Sequence, residues 1–272
     1  MSCPSAITDV LSGRIQWCVV HGDSAQVLTA LPRRSVDHVL CDPPFSPNVH
    51  LLQRRMLRGN SKRAGHEQVG FAPLGFEALT PELRRLCGMH FARVARRWVL
   101  VKCDAEGQQA WQAELERAGG RHVRVGIWHK LSAQPQLSGD RPAVAHEAFE
   151  IAHVRGERLR WHGGGLHAFW AHAIATDRNG TNSRIHTTQT PVALWLDLVS
   201  QFTDPGELVL DPFAGSGSLG VACLRLGRRY LGVERQAHYA ESAHEWLAAE
   251  NRGSTLAAAR AGQLGLFSGG AR

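Results

Sequence analysis

The chain lacks the sequence features of several protein classes. Its six cysteines, at positions 3, 18, 41, 87, 103 and 223, form no CxxC pair and no repeated spacing. That pattern speaks against a structural zinc site and against a disulfide framework. No uninterrupted apolar run is long enough to span a bilayer, and the N-terminus carries no secretory pattern. The expectation is a soluble protein of a reducing, intracellular compartment with no membrane partner. Acidic residues are missing from one stretch in particular. Between Ser46 and Arg63 the charged residues are Arg54, Arg55, Arg58, Lys62 and Arg63, with no Asp or Glu among them. Such a run suits either a solvated surface loop or a loop that meets phosphates.

What is present points to an ordinary globular interior. The 272 residues are 43% hydrophobic, enough for one sizeable core with a small appendage. The formal charge of +7 favours a polyanionic partner.

Periodicity divides the chain into alternating strands and helices. Strands are predicted at 16–20, 38–41, 98–101, 123–128, 146–154, 207–210 and 229–233. Helices are predicted from 23 or 24 to 31, and at 79–95, 110–118, 191–202, 218–226 and 239–249. Gly119-Gly120 stops one helix, and the tail after Asn251 is expected to fray. Such repeats build open, mostly parallel sheets covered by helices on both faces. Two segments resist assignment. The stretch 46–74 is basic and weakly periodic, a length of loop that is uncommon unless functional or disordered. The stretch 155–184 is rich in Gly, His, Trp and Arg, and Arg155, Arg158, Arg160, Arg178 and Arg184 outnumber its acids. It fits a partner-contacting insert or a hydrophobic satellite around Trp161 and Trp170.

Two loops carry the chemistry. Gly215, Gly217 and Gly220 satisfy G-x-G-x-x-G after a predicted strand and at the start of a helix, where bare backbone amides can approach a ligand. Glu234, at the end of the next strand, can accept hydrogens from two ribose hydroxyls. A dinucleotide dehydrogenase is the rival, but Asp211 beside the turn would repel a pyrophosphate. An adenosyl ligand without phosphate, carrying an ammonium group, suits that carboxylate better. Asp23 either caps the following helix or accepts from an adenine amine.

The second loop, Asp42-Pro43-Pro44-Phe45, is stiffened by two prolines, with a carboxylate at one end and an aromatic face at the other. A flipped nucleobase needs hydrogen bonding along its edge and stacking against its ring. An exocyclic amine whose hydrogens are accepted by Asp42 and the Pro43 carbonyl would turn its lone pair toward a methyl donor, which is catalysis by orientation. Cys41 should face away from Asp42, because successive strand side chains alternate.

Together these segments resemble the amino methyltransferases of DNA in the circularly permuted beta class. The resemblance rests on Gly22-Asp23, Leu31-Pro32, Ser35-Val36-Asp37 and Asp42-Pro43-Pro44-Phe45. It continues through Ile127-Trp128-His129-Lys130, Gly139-Asp140-Arg141-Pro142, His146-Glu147 and His186-Thr187-Thr188-Gln189-Thr190-Pro191. It ends on Asp211-Pro212-Phe213-Ala214-Gly215-Ser216-Gly217 and Tyr230-Leu231-Gly232-Val233-Glu234.

The resemblance implies a Rossmann-like α/β fold with a seven-stranded, mostly parallel sheet. It places the catalytic domain at residues 1–154 and 186–272 and a target-recognition insert at 155–185, while the basic charge of 46–74 makes that stretch the candidate DNA-facing loop. S-adenosylmethionine is the implied donor and S-adenosylhomocysteine the product. Contacts to the cofactor are expected from Asp23, Asp42, His186, Thr188, Gln189, Asp211, Phe213, Gly215, Ser216, Gly217 and Glu234. Contacts to duplex DNA are expected from Arg54, Arg55, Arg58, Lys62, Arg63, Arg158, Arg160, Arg178 and Arg184. The resemblance also implies a flipped target base, a family habit of forming homodimers, and a cytoplasmic, nucleoid-associated enzyme of prokaryotic or phage origin.

Two positions depart from the family pattern: Thr190 stands where a lysine is usual, and Phe45 where tyrosine is common. Aspartate at the head of the catalytic loop leans toward adenine N6. Cytosine N4, an RNA or protein amine, and a non-catalytic DNA-binding module are the alternatives.

Overall fold

The computed structural model describes residues 3–47, 78–133, 135, 139–174 and 189–260. Its strands are β1 (Trp17–His21), β2 (His38–Cys41), β3 (Trp98–Cys103), β4 (Gly120–Lys130), β5 (His146–Val154), β6 (Phe169–His172), β7 (Leu208–Asp211) and β8 (Arg229–Glu234). They form one sheet in the order β1-β8-β7-β2-β3-β5-β4-β6. Only β5 runs antiparallel to its neighbours.

The helices are α1 (Cys3–Leu11), α2 (Ser24–Ala30), α3 (Pro81–Val94), α4 (Gln108–Arg117), α5 (Val192–Phe202), α6 (Ser218–Arg225), α7 (Ala237–Asn251) and α8 (Leu256–Arg260). They cover both faces. Val39, Cys41, Val99 and Val101 face a core shared with Leu28, Phe91, Trp111 and Leu115 of α2, α3 and α4. Leu40, Trp98, Leu100, Phe149 and Ile151 face a second core with Leu194, Trp195, Leu198, Leu219 and Leu247 of α5, α6 and α7. Strands buried on both faces explain the near-continuous apolar runs at 38–41 and 98–101.

The sheet has eight strands where seven were expected. The additional strand is β6, which lies within the segment that looked irregular and pairs parallel with the end of β4, Ile127 opposite Phe169. It is four residues long and only Trp170 is buried, so its sequence carries almost no alternation. Around it the aromatic satellite forms: Trp161 and Trp170 both meet Phe202, with ring centroids 4.8 and 6.4 Å away.

Other boundaries move for local reasons. Gly119, at φ +90°, makes the turn, and β4 begins immediately at Gly120, with a register irregularity between His122 and Arg124. The tail continues past Asn251 into α8, where Arg260 donates to Glu245 at 2.9 Å. Among the described residues no helix is long and apolar enough to cross a membrane.

Candidate active site

The chain runs β7 to β8 toward one side of the sheet and β2 to β3 toward the other, so the strand order reverses between β7 and β2. In open α/β sheets the crevice beyond the carboxyl ends of the strands at such a switch point is where ligands bind. The two loops singled out in the sequence leave from these two strands. The glycine turn follows β7 and the Asp42 loop follows β2.

The glycine turn is held from both sides. Phe213 N–H donates to Asp211 Oδ1 at 3.1 Å, and the Tyr230 hydroxyl donates to Asp211 Oδ2 at 3.1 Å. Glu234 accepts from the backbone of Gly215 and of Gln236, each at 2.8 Å. Ser24 donates its hydroxyl to the Pro212 carbonyl, tying α2 to the turn. Gly215 and Gly217 adopt φ of +52° and +87°, conformations that side chains rarely tolerate. A Cβ at Gly215 would meet nothing within 4 Å, so the front of the turn is open. Ser216 is buried, and Phe213 packs against the α2–α4 core.

Burial pushes the Asp211 carboxyl up to about 7, with Phe213 and Tyr230 opposing the rise. Glu234 is also raised by burial. This acidic, open turn fits an adenosyl ligand bearing an ammonium group and would reject a pyrophosphate. Asp23 caps α2, accepting from Ala25 N at 2.8 Å and Gln26 N at 3.3 Å, both through Oδ1.

At the other loop, Asp42 has companions the sequence did not reveal. Lys102, near the end of β3, donates to Asp42 Oδ2 at 2.8 Å and to Thr190 Oγ1 at 2.9 Å. Thr190 donates in turn to the same Oδ2 at 2.8 Å. Lys102 also pairs with Glu147 Oε2 at 2.6 Å, and Lys130 pairs with Glu147 Oε1. The Lys102 ammonium lies 5.2 Å from the ring centroids of both Phe45 and Trp128.

Side-chain parity explains the gathering. Asp42 is two residues past Leu40, Lys102 two past Leu100, Glu147 two before Phe149 and Lys130 two past Trp128, so all point to the α5–α7 face. Cys41 has the opposite parity and is buried in the other core. Burial and the nearby Asp211 push its thiol far up, which leaves no nucleophile there.

Burial works against the charge on Lys102, yet Asp42 and Glu147 outweigh it and hold the ammonium above its ordinary range. Glu147 lies below its ordinary range despite burial, because two lysines face it. Asp42 lies above its range, since burial exceeds what Lys102 gives back.

The remaining sequence expectations divide. Gln189 and Thr190 are buried beside this site. His186, Thr188, Arg54, Arg55, Arg58, Lys62, Arg63, Arg178 and Arg184 lie outside the described residues. Arg158 and Arg160 are exposed, and Arg160 donates to Asp204 at 3.2 Å. Both follow the far end of antiparallel β5. Seven residues of strand separate Glu147 from Val154, roughly 24 Å at 3.4 Å per residue. That placement sets them apart from the edge of the sheet that carries Asp42.

Lys102, Glu147 and Lys130 escaped the sequence reading as site residues. The available signal was a lone lysine inside an apolar strand, since a buried lysine is almost always paired.

A mostly parallel sheet with a glycine-rich acidic turn on one central strand and an Asp-Pro-Pro-aromatic loop on its neighbour is the arrangement of the Rossmann-like class I methyltransferase fold. Comparison with known proteins sharpens this. Residues 151–245 match the family described as DNA methylase. The chain is 26% identical over 245 residues to methylase YubD of Escherichia coli K12, covering 88% of this chain and 94% of that one. The M1.HpyAVI–SAM complex has a TM-score of 0.62 at 21% identity, over 84% of this chain and 98% of that one. PvuII DNA methyltransferase, described as cytosine-N4-specific, has a TM-score of 0.64 at 16% identity, over 85% and 86% of the two chains. By sequence and by fold the chain is similar to DNA amino methyltransferases.

Proposed function

We propose that the chain transfers a methyl group from S-adenosylmethionine to the N6 amino group of adenine in duplex DNA, with the target base flipped out of the stack. The observation that carries this is the position of Asp42-Pro43-Pro44-Phe45 across the switch point from the Asp211–Gly217 turn. The cofactor would be held by the Gly215–Gly217 backbone, Asp211, Phe213, Glu234 and Asp23, and it supplies an electrophilic methyl on its sulfonium.

The protein's part is orientation. Asp42 accepts one hydrogen of the target amine and the Pro43 carbonyl the other, which draws the nitrogen toward tetrahedral geometry. Its lone pair then faces the donor side of the crevice. Phe45 stacks on the base and keeps it from rotating. Proton loss follows methyl transfer, because the methylated nitrogen is then cationic and acidic. Preference for adenine rests on an aspartate at the head of the loop. Duplex contacts from the basic stretch 46–74 and from Arg178 and Arg184 rest on charge alone.

The test incubates purified protein with unmethylated genomic DNA and labelled S-adenosylmethionine, followed by mass spectrometry of the nucleosides. N6-methyladenine confined to one short sequence is expected. N4-methylcytosine would replace adenine as the target, and no methylated base despite cofactor binding would sink the DNA enzyme.

A further inference from the structure

We propose that Lys102 is the positioning residue of the catalytic loop, fixing Asp42 at one end and Phe45 at the other so that Asp42 Oδ1 is the oxygen offered to the target amine. The inference rests on the function proposed above and deepens it. Three observations carry it.

First, Lys102 and Thr190 both donate to Oδ2, at 2.8 Å each, and neither of these hydrogen bonds falls on Oδ1. A carboxylate gripped through one oxygen by two donors cannot rotate freely, so the other oxygen has a defined direction. Second, the same ammonium lies over the Phe45 ring at 5.2 Å. One cation therefore sets the distance between the hydrogen-bonding and stacking ends of the loop. Third, Lys102 is itself immobile. It is 3% exposed, paired to Glu147 at 2.6 Å, and backed by Trp128 at 5.2 Å. Glu147 is in turn held by Lys130. A lysine buried this completely is costly unless it is paired, and here Asp42 and Thr190 accept from it while Glu147 supplies a second countercharge. Thr190, which departs from the family's lysine, is thus a relay between a lysine on another strand and the catalytic carboxylate.

The charged groups facing Asp42 are Lys102 of β3, Glu147 of β5, Lys130 of β4 behind Glu147, and Asp211 of β7. Of these, only Lys102 touches Asp42 and lowers its affinity for a proton by direct contact. Removing it leaves the Thr190 hydrogen bond to oppose burial and the neighbouring acids.

The experiment uses full-length protein with Lys102→Met, Thr190→Val and Thr190→Ser, and two readouts. The side-chain carboxyl carbon of Asp42, assigned by its loss in Asp42→Asn, is titrated by NMR without cofactor. Its midpoint should move to higher pH by about one to three units in Lys102→Met. Single-turnover methyl transfer to DNA should fall about 100-fold in that variant, as for a misplaced reacting group, with cofactor affinity retained. Thr190→Val should reduce transfer less, and Thr190→Ser should restore it.

An unchanged Asp42 titration together with transfer near the wild-type rate in Lys102→Met overturns the proposal. Should that variant fail to fold, equal transfer by Thr190→Val and Thr190→Ser overturns it instead. If the wild-type chain methylates no DNA, the proposed function fails, and the Asp42 titration still decides the role of Lys102.

Discussion

The Tyr230 hydroxyl donates to Asp211 Oδ2 at 3.1 Å, joining β8 to β7 at the root of the glycine turn. Both groups are buried. Burial raises Asp211 from 3.8 to about 7, and the hydrogen bonds from Phe213 and Tyr230 only partly offset it. An acid that titrates higher in the folded state holds its proton longer there. Its stabilising contribution is complete below the unfolded value of about 4 and is lost as pH rises through about 7. Asp211→Asn cannot ionise and escapes that loss. The melting temperature of the variant relative to wild type should rise between about pH 4 and about pH 7 and level off above it. A difference independent of pH would show that Asp211 ionises normally in the fold.

Gly220 sits in α6 where a Cβ would lie 2.7 Å from Tyr230 Cε1 and 2.8 Å from Leu247 Cδ2. Two effects oppose each other in Gly220→Ala. Helix propensity favours alanine by about 1 kcal/mol, whereas forcing a methyl into a packed seam costs about 1–3 kcal/mol. Because both neighbours are fully buried, crowding should win and urea unfolding should shift to lower denaturant. A raised midpoint would mean the seam is looser than these distances indicate.

Asp42→Ala leaves Lys102 paired with Glu147 at 2.6 Å, so the fold should survive. Labelled methyl transfer should fall by about 10²–10³-fold or more, the scale for losing one aligned transition-state partner. Calorimetric affinity for S-adenosylmethionine should persist. A parallel loss of cofactor affinity would move Asp42 from the target side of the crevice to the cofactor side.

Asp23 invites a pair of substitutions, because its cap uses Oδ1 twice. Asp23→Ala should cost about 1 kcal/mol of stability, and Asp23→Ser should recover most of it as a competent cap. If Asp23 also accepts from the cofactor's adenine amine, Asp23→Ser should be stable yet bind the cofactor more weakly than wild type. Equal affinity would reduce Asp23 to its cap.

Much of the fold was legible because it is encoded locally. The strands 38–41 and 146–154 were placed at their observed ends, since apolar runs bounded by prolines, glycines and charge leave few choices. What escaped were α1, β6 and α8, three short elements with one face or less to bury. Their pattern is too brief to stand out, and β6 exists only because the end of β4 offers it an edge.

The sequence has no CxxC pairing, no bilayer-length apolar run, and no acid between Ser46 and Arg63. With two loop motifs in a fixed order, the sequence by itself determined the fold class and singled out the glycine turn and the Asp42 loop as the candidate site. It could do so because strand, turn and helix signals are contiguous in the chain. The company kept by Asp42 was decided only by the tertiary structure. Lys102 and Thr190 lie 60 and 148 positions away. They meet Asp42 because strand order and side-chain parity bring three separate segments to one carboxyl edge, and no local pattern carries that information.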